Sequence, residues 1–374
     1  MEVSTVVLDN GSYLLRAGMS GYSKPSVLIP TVIARSNTPK VKGDLFAPKD
    51  IYIGSDVFTC EVPNLDISYP IKERAITNYG QMEKIWNYIF SDELIIKPEE
   101  HPIVLTEAPF TPERNRQQAI QIMMEKFSFA AYYSSIPEVF SLFSAGRTTG
   151  LVVDSGESMT DILPVFECYP MYHVFSRLPI GGSHINSYLK RLLMQSGIEI
   201  NESNENQLLN DIKEKLCYVP IDIEEEQHKY EHVNEIEKTY QMPSGLQVHI
   251  GSQRFRCVEP LFDPRLIQIQ SEGINQLLFE TINKCGELKQ EMFKNIVLSG
   301  GTSLFPGFGQ RLKKDLSKLA PPETKIDVIA NEDRSNAAWL GGSVLASQAS
   351  FSLMWITKDE YQEVGDNIVN LKCF

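Results

Sequence analysis

The sequence predicts an α/β protein made of two similar halves. Three observations carry that expectation. Short apolar runs rich in β-branched residues alternate with segments of helical period along the whole chain. One strand–acid–turn unit occurs twice, as Thr5-Val-Val-Leu-Asp9-Asn-Gly11-Ser12 and as Gly150-Leu-Val-Val-Asp154-Ser-Gly156-Glu-Ser158. A chain of 374 residues, 42% of them apolar, suffices for two or three domains with sizeable cores.

Turn chemistry gives the repeated unit its meaning. Taken singly, each copy reads as an ordinary hairpin, because an acid, a small residue and a glycine make a common turn. Taken together, the copies suit a phosphate. Turn glycines let successive backbone N–H groups point into one concavity. An Asp at each strand end suits a hydrated cation, since magnesium prefers carboxylates and keeps most of its waters. Two such turns facing each other would clamp the phosphates of a nucleotide.

Composition narrows the function classes. A formal net charge of −13 argues against a nucleic-acid or anionic-membrane surface, which needs clustered Lys and Arg. No run approaches the length of a membrane span, and the N-terminus lacks a signal-peptide pattern, so a soluble, non-secreted protein is expected. The six cysteines are scattered without a CxxC pair, as for reduced thiols in cytosol or nucleus.

Taken in order, residues 6–8, 13–17 and 26–33 read as strands broken by Gly and Pro. Residues 36–49 are polar and read as a surface loop. Residues 78–90 read as a helix burying Met82, Ile85, Trp86, Ile89 and Phe90. Residues 101–107 form a buried strand. Thr111 is expected as the N-cap of a helix with Pro112 at its first position, burying Ile120, Met123, Met124 and Phe127. Residues 164–166 and 172–175 look strand-like. Ile185, Tyr188, Leu189, Leu192 and Leu193 mark a helix entered through Gly181-Gly182. Leu208, Ile212 and Leu216 mark the next. Residues 221–232 read as a charged break; its His228 and His232 have zinc-ligand spacing but lack a third ligand and an apolar face. Residues 293–302 repeat the strand-into-glycine theme, residues 337–347 read as a helix, and Met354-Trp355-Ile356 as a buried anchor.

Several of these segments together carry a family resemblance. They are Leu8-Asp-Asn-Gly-Ser12, Tyr69-Pro-Ile71, Met82-Glu-Lys-Ile-Trp86, Leu105-Thr-Glu-Ala-Pro109 and Ser144-Ala-Gly-Arg-Thr-Thr-Gly150. Further on come Asp211-Ile-Lys-Glu-Lys-Leu-Cys-Tyr218, Asn295-Ile-Val-Leu-Ser-Gly-Gly301, Trp339-Leu-Gly-Gly-Ser343 and Lys372-Cys-Phe374. Over nearly its whole length the chain resembles actin and the actin-related proteins. The resemblance implies the actin-like ATPase fold, with ATP or ADP and a divalent cation, Mg or Ca, in the cleft. It implies a first half of residues 1–140 plus 338–374, with 34–69 as its small subdomain. The second half is residues 141–337, with 181–270 as its small subdomain. Asp9 and Asp154 would surround the metal. Gly11, Ser12, Tyr13, Gly156, Glu157 and Ser158 would lie at the phosphates, with Arg16 where the family usually has a lysine. Gly182, Lys213 and Glu214 would line the nucleoside side, and Gly301, Thr302 and Phe305 the adenine pocket.

Departures from the family bear on activity. Pro137 and Asp161 stand where actins carry the glutamine and histidine that position the attacking water, so hydrolysis should be slow or absent. Glu138 and Asp161 are the remaining candidates for a catalytic base. Glu157-Ser158 replaces the usual Asp-Gly, Tyr13 replaces a glycine, and Glu73 replaces a histidine beside the phosphates. Within residues 36–49, Lys42-Gly-Asp-Leu-Phe46 resembles the centractin branch, the actin-related proteins of the dynactin filament; Gly307-Phe-Gly-Gln-Arg311 and Arg254-Phe-Arg256 lean the same way. Phe143, Gly146, Leu345, Phe351 and Met354 read either as core or as a groove for an amphipathic partner helix. The expected role is that of a structural subunit among other actin-family or cytoskeletal proteins, in cytoplasm or cytoskeleton. A polymerising ATPase and a nuclear subunit of a chromatin-remodelling complex are the alternatives.

Overall fold

The structure is a computed structural model that describes residues 4–37, 49–198, 200, 205–233, 236–243 and 245–373. The centractin-like segment at 42–46 lies outside the described residues, as does most of the expected loop at 36–49.

The chain opens with three antiparallel strands, β1 (Val6–Asn10), β2 (Leu14–Met19) and β3 (Val27–Pro30). A small sheet follows, with β4 (Ile33–Ser36) between β5 (Ile51–Ile53) and β6 (Leu65–Ser68). A tight hairpin joins β7 (Ile71–Lys72) to β8 (Ala75–Ile76). The Tyr79–Tyr88 helix leads to β9 (Pro102–Thr106), and the Glu113–Gln121 helix to β10 (Ala131–Ser135). These strands run parallel to β1 and to each other, as strand–helix–strand crossovers require. The Pro137–Ser144 helix ends this part of the chain.

The pattern then repeats. β11 (Gly150–Ser155), β12 (Thr160–Phe166) and β13 (Tyr169–Pro170) are antiparallel, and β14 (Ser176–Leu178) pairs with β12. Helices Gly182–Gln195, Glu205–Leu216 and Ile223–His232 precede a hairpin of β15 (Lys238–Gln241) and β16 (Gln247–Ile250). Beyond the Ile274–Lys284 helix, β17 (Ile296–Ser299) runs parallel to β11. The Phe308–Leu319 helix leads to β18 (Val328–Ile329) on β17. Last, the Ala337–Ala346 helix brings the chain back to β10 through β19 (Ile356–Thr357).

Two compact units result: Met1–Arg147 with Asn336–Phe374, and Thr148–Ser335. Each has its own core. In the first, Trp86, Phe129, Tyr132, Phe140 and Trp339 are fully buried around the sheet of order β19-β10-β9-β1-β2-β3. The Trp339 indole donates to the Val7 carbonyl at 3.0 Å, so its one polar atom is satisfied. Gly341 lets two helices touch: a Cβ there would lie 1.7 Å from the Phe140 carbonyl oxygen. In the second unit, Leu151, Val153, Ile162, Leu189 and Phe308 pack on the sheet of order β13-β12-β11-β17-β18.

The structure corrects four local expectations. The expected strand at 26–33 is two strands, broken at Thr31-Val32. Pro112, not Thr111, occupies the N-cap of its helix, and the Thr111 hydroxyl turns back to the Ala108 carbonyl at 2.7 Å. Residues 172–174 form a short helical turn; the strand is β14. The charged break at 221–232 is a helix, because Asp222 caps it by accepting from the Glu224 and Glu225 amides. That helix buries no side chain. Its two histidines stack at 4.1 Å, and among the described residues no cluster of three His, Cys, Asp or Glu residues suits a metal ion.

Candidate functional site

The first turn is built to stay tight. Gly11 follows β1, and a Cβ at Gly11 would lie 2.3 Å from the Leu14 carbonyl oxygen, so no other residue fits. The Thr31 hydroxyl donates to the Gly11 carbonyl at 2.7 Å, and the Thr31 amide to the Tyr13 carbonyl at 2.9 Å. Ser12 lies in the turn, and the Tyr13 side chain is 36% exposed. Asp9 is buried at the end of β1. The Thr106 hydroxyl donates to its Oδ1 at 2.9 Å, and Arg16 Nη1 stands 3.4 Å from its Oδ2. Arg16 faces Asp9 across the β1–β2 pair and also donates through Nε to Asn336 Oδ1 at 2.8 Å. Asn10 locks the same corner: its Oδ1 accepts from the Trp86 indole at 3.1 Å and its backbone N–H donates to Thr106 Oγ1 at 2.7 Å.

The second turn is held from two sides within its own unit. The Gly156 carbonyl accepts the Gly182 amide at 3.0 Å and the Thr302 hydroxyl at 2.8 Å. The Glu157 carbonyl accepts both the amide and the hydroxyl of Ser183 at 2.9 Å. Three polar groups converge on Gly182, where a Cβ would meet Glu157 Oε2 at 2.6 Å, Thr302 Oγ1 at 3.1 Å and Lys213 Nζ at 3.2 Å. Lys213 is buried and donates to Asn210 Oδ1 at 2.7 Å. Burial raises the Glu157 carboxyl above the usual range, opposed by Lys213 and helped by Glu214. Burial likewise lowers the Lys213 ammonium, opposed by Glu157 and Glu214. Glu214 is exposed and Phe305 is buried in the core. Gly300 must be glycine, with φ +84° and Ser155 O only 2.2 Å from a would-be Cβ, while a Cβ on Gly301 would meet nothing within 4 Å. The Ser158 hydroxyl is buried and has no hydrogen-bond partner among the described residues.

The two carboxylates expected as catalytic candidates each face an arginine. Asp161 is fully buried and forms a two-pronged pair with Arg177, Nε to Oδ1 at 2.6 Å and Nη2 to Oδ2 at 2.9 Å. Arg177 is its cross-strand neighbour on β14. Glu138 is also fully buried, with Arg74 Nη2 at 3.1 Å from its Oε1. Pro137 occupies the first turn of its helix, where its missing N–H costs nothing.

The expected partner groove is only partly open. Phe351 is 3% exposed and packs edge-on against Tyr133 and Trp355, so it serves the core. Phe143, Leu345 and Met354 are half-buried, Gly146 is exposed, and Leu353 beside them is 82% exposed.

Sequence reasoning missed Thr106, Asn336, Asn210, Arg74 and Arg177. None carried a local signal: the register that sets Arg177 on β14 opposite Asp161 is fixed only in the folded sheet.

Two α/β units each open on a strand that ends in an acid and a tight glycine turn. The family model described as Actin matches residues 1–374, and the chain belongs to the actin family. That family generally binds nucleotide and a divalent metal. The orphaned Ser158 hydroxyl and the close-fitting turn glycines fit a phosphate-bearing ligand. Among the described residues no helix is long and apolar enough to cross a membrane.

Proposed function

We propose that this chain is an actin-related protein that binds ATP or ADP as a structural ligand and serves as a subunit of a larger assembly, with slow or absent hydrolysis. The two-pronged pairing of Asp161 with Arg177 carries the reading. A water attacking a terminal phosphate needs a polar group free to orient it. Asp161 spends both oxygens on Arg177, Glu138 faces Arg74, and Pro137 has no side-chain donor or acceptor.

In this reading, backbone N–H groups of Gly11, Ser12 and Tyr13 and of Gly156, Glu157 and Ser158 meet the phosphates. Gly182, Lys213 and Glu214 line the nucleoside side, and Gly301, Thr302 and Phe305 the adenine pocket. Asp9 and Asp154 are the residues available to a hydrated Mg or Ca ion, which would screen the phosphate charge. The half-buried Phe143, Leu345 and Met354 support docking of an amphipathic helix from another cytoskeletal protein, in cytoplasm or on the cytoskeleton.

The test is to compare melting and turnover in the purified chain. A ligand that binds only the folded state adds about 2.7 kcal/mol at a hundredfold excess over Kd. The melting temperature should therefore rise by several degrees with Mg-ATP while phosphate release stays near background. No shift, or steady release with one phosphate per chain every few minutes, would overturn the proposal.

A further inference from the structure

The Ile223–His232 helix belongs to the second unit and buries no side chain. Packing alone therefore does not dictate what its outer face carries. Glu224, Glu225, Glu226 and Glu231 make it acidic, and its lysine, Lys229, is paired with Glu226 at 3.2 Å. An acidic face of this kind raises the local concentration of cations.

His228 and His232 stand one turn apart on this helix, both exposed. Their rings face each other, with centroids 4.1 Å apart and planes 20° from parallel. Two nitrogens bound to one zinc ion, each about 2.1 Å from it, lie at most about 4.2 Å apart. The stack thus holds the rings at a separation that a shared ion can span. The tautomer of one ring is set as well. His232 Nδ1 donates to the His228 carbonyl at 2.8 Å, so its Nε2 carries the lone pair. A backbone carbonyl on the other nitrogen is the usual support of a metal-bound imidazole. The His228 ring has no hydrogen-bond partner among the described residues, so its nitrogens are uncommitted.

We propose that His228 and His232 form a two-imidazole chelate for zinc, with water in the remaining positions. Imidazole nitrogen suits zinc, whereas magnesium and calcium prefer oxygen. The bound ion closes a ring across the last turn and so favours the helical form of this segment. The site needs no nucleotide and is independent of the reading above.

Calorimetric titration of zinc into the full chain, with magnesium in excess to fill oxygen sites, tests this. Wild type should show a zinc site that His228→Ala and His232→Ala each weaken at least about tenfold. Both positions are exposed and alanine is the best helix former, so without zinc the variants should melt as wild type does. His249→Ala, at an exposed histidine of the β15–β16 hairpin, should bind zinc as wild type does. Thiols also take zinc, but a site on them would be the same in wild type and in the double variant His228→Ala with His232→Ala. Equal zinc binding by wild type and the double variant, or a loss in only one of the two single variants, would overturn the inference.

Discussion

Arg74 sits at φ +67°, next to Glu73 at +48°, in the two-residue turn between β7 and β8. That turn type wants glycine or asparagine, and each side chain held there costs about 1–3 kcal/mol. The strain is offset by the reach of Arg74 to the fully buried Glu138. Removing one partner of such a pair strands a charge in the interior. Arg74→Ala is therefore expected to lower stability by about 3–5 kcal/mol, and adding Glu138→Leu to recover most of it. Denaturant midpoints of the two single variants and the double variant measure this; equal losses in Arg74→Ala and the double variant would refute it. The positions of Asp9 and Asp154 on their strands were legible in the sequence because the unit that carries them occurs twice. Arg74 and Arg177 were not, because a cross-strand or turn-to-helix partner is set by register and tertiary placement, which no local pattern encodes.

At the level of elements, the Phe308–Leu319 helix is tied to its surroundings through Arg311. The guanidinium donates to Asp315 Oδ2 and to the Pro220 carbonyl at 2.8 Å, stands 3.4 Å from Glu259 Oε1, and lies 4.6 Å over the Phe262 ring. Burial raises Glu259 to about 7, against the lowering effect of Arg311. The folded chain then holds a proton between pH 4.5 and 7 that the unfolded chain has released. Stability should fall as pH rises through that window, by up to about 3 kcal/mol from this group. Melting temperatures of wild type and Glu259→Gln across pH 5 to 8 isolate the effect: the variant should show the smaller fall. Parallel profiles would assign the slope elsewhere. Helices with an apolar stripe, such as Tyr79–Tyr88, were readable from period alone. The Ile223–His232 helix was misread because it buries nothing, and its one start signal, Asp222 as N-cap, was not weighed.

For the whole molecule, the repeat at Asp9 and Asp154 foretold two α/β sheets, and two separate cores are what the structure shows. Less legible was the way the C-terminal segment completes the first unit. Short apolar runs such as Ile356-Thr357 do not reveal which sheet they join. Residues 148–335 form one continuous unit with its own core. Produced as a separate polypeptide, this segment is expected to be soluble and to unfold cooperatively. Residues 1–147 alone should fail, lacking the Trp339 indole and the β19 edge. Broad, non-cooperative melting of 148–335 would show that its core does not suffice.

The pairing of β10 with β19, Ala131 against Thr357, also sets an order of events during synthesis. When the ribosome has released residue 147, the edge of β10 is complete but has no neighbour. The space under Phe140 stays unfilled until the Ala337–Ala346 helix emerges. The intervening segment can finish its own packing in that interval, so the later-encoded half of the protein matures first. A growing chain with an apolar sheet edge open for so long is prone to pair with its neighbours. Its yield in a cell should therefore depend on whatever shelters that edge until β19 emerges.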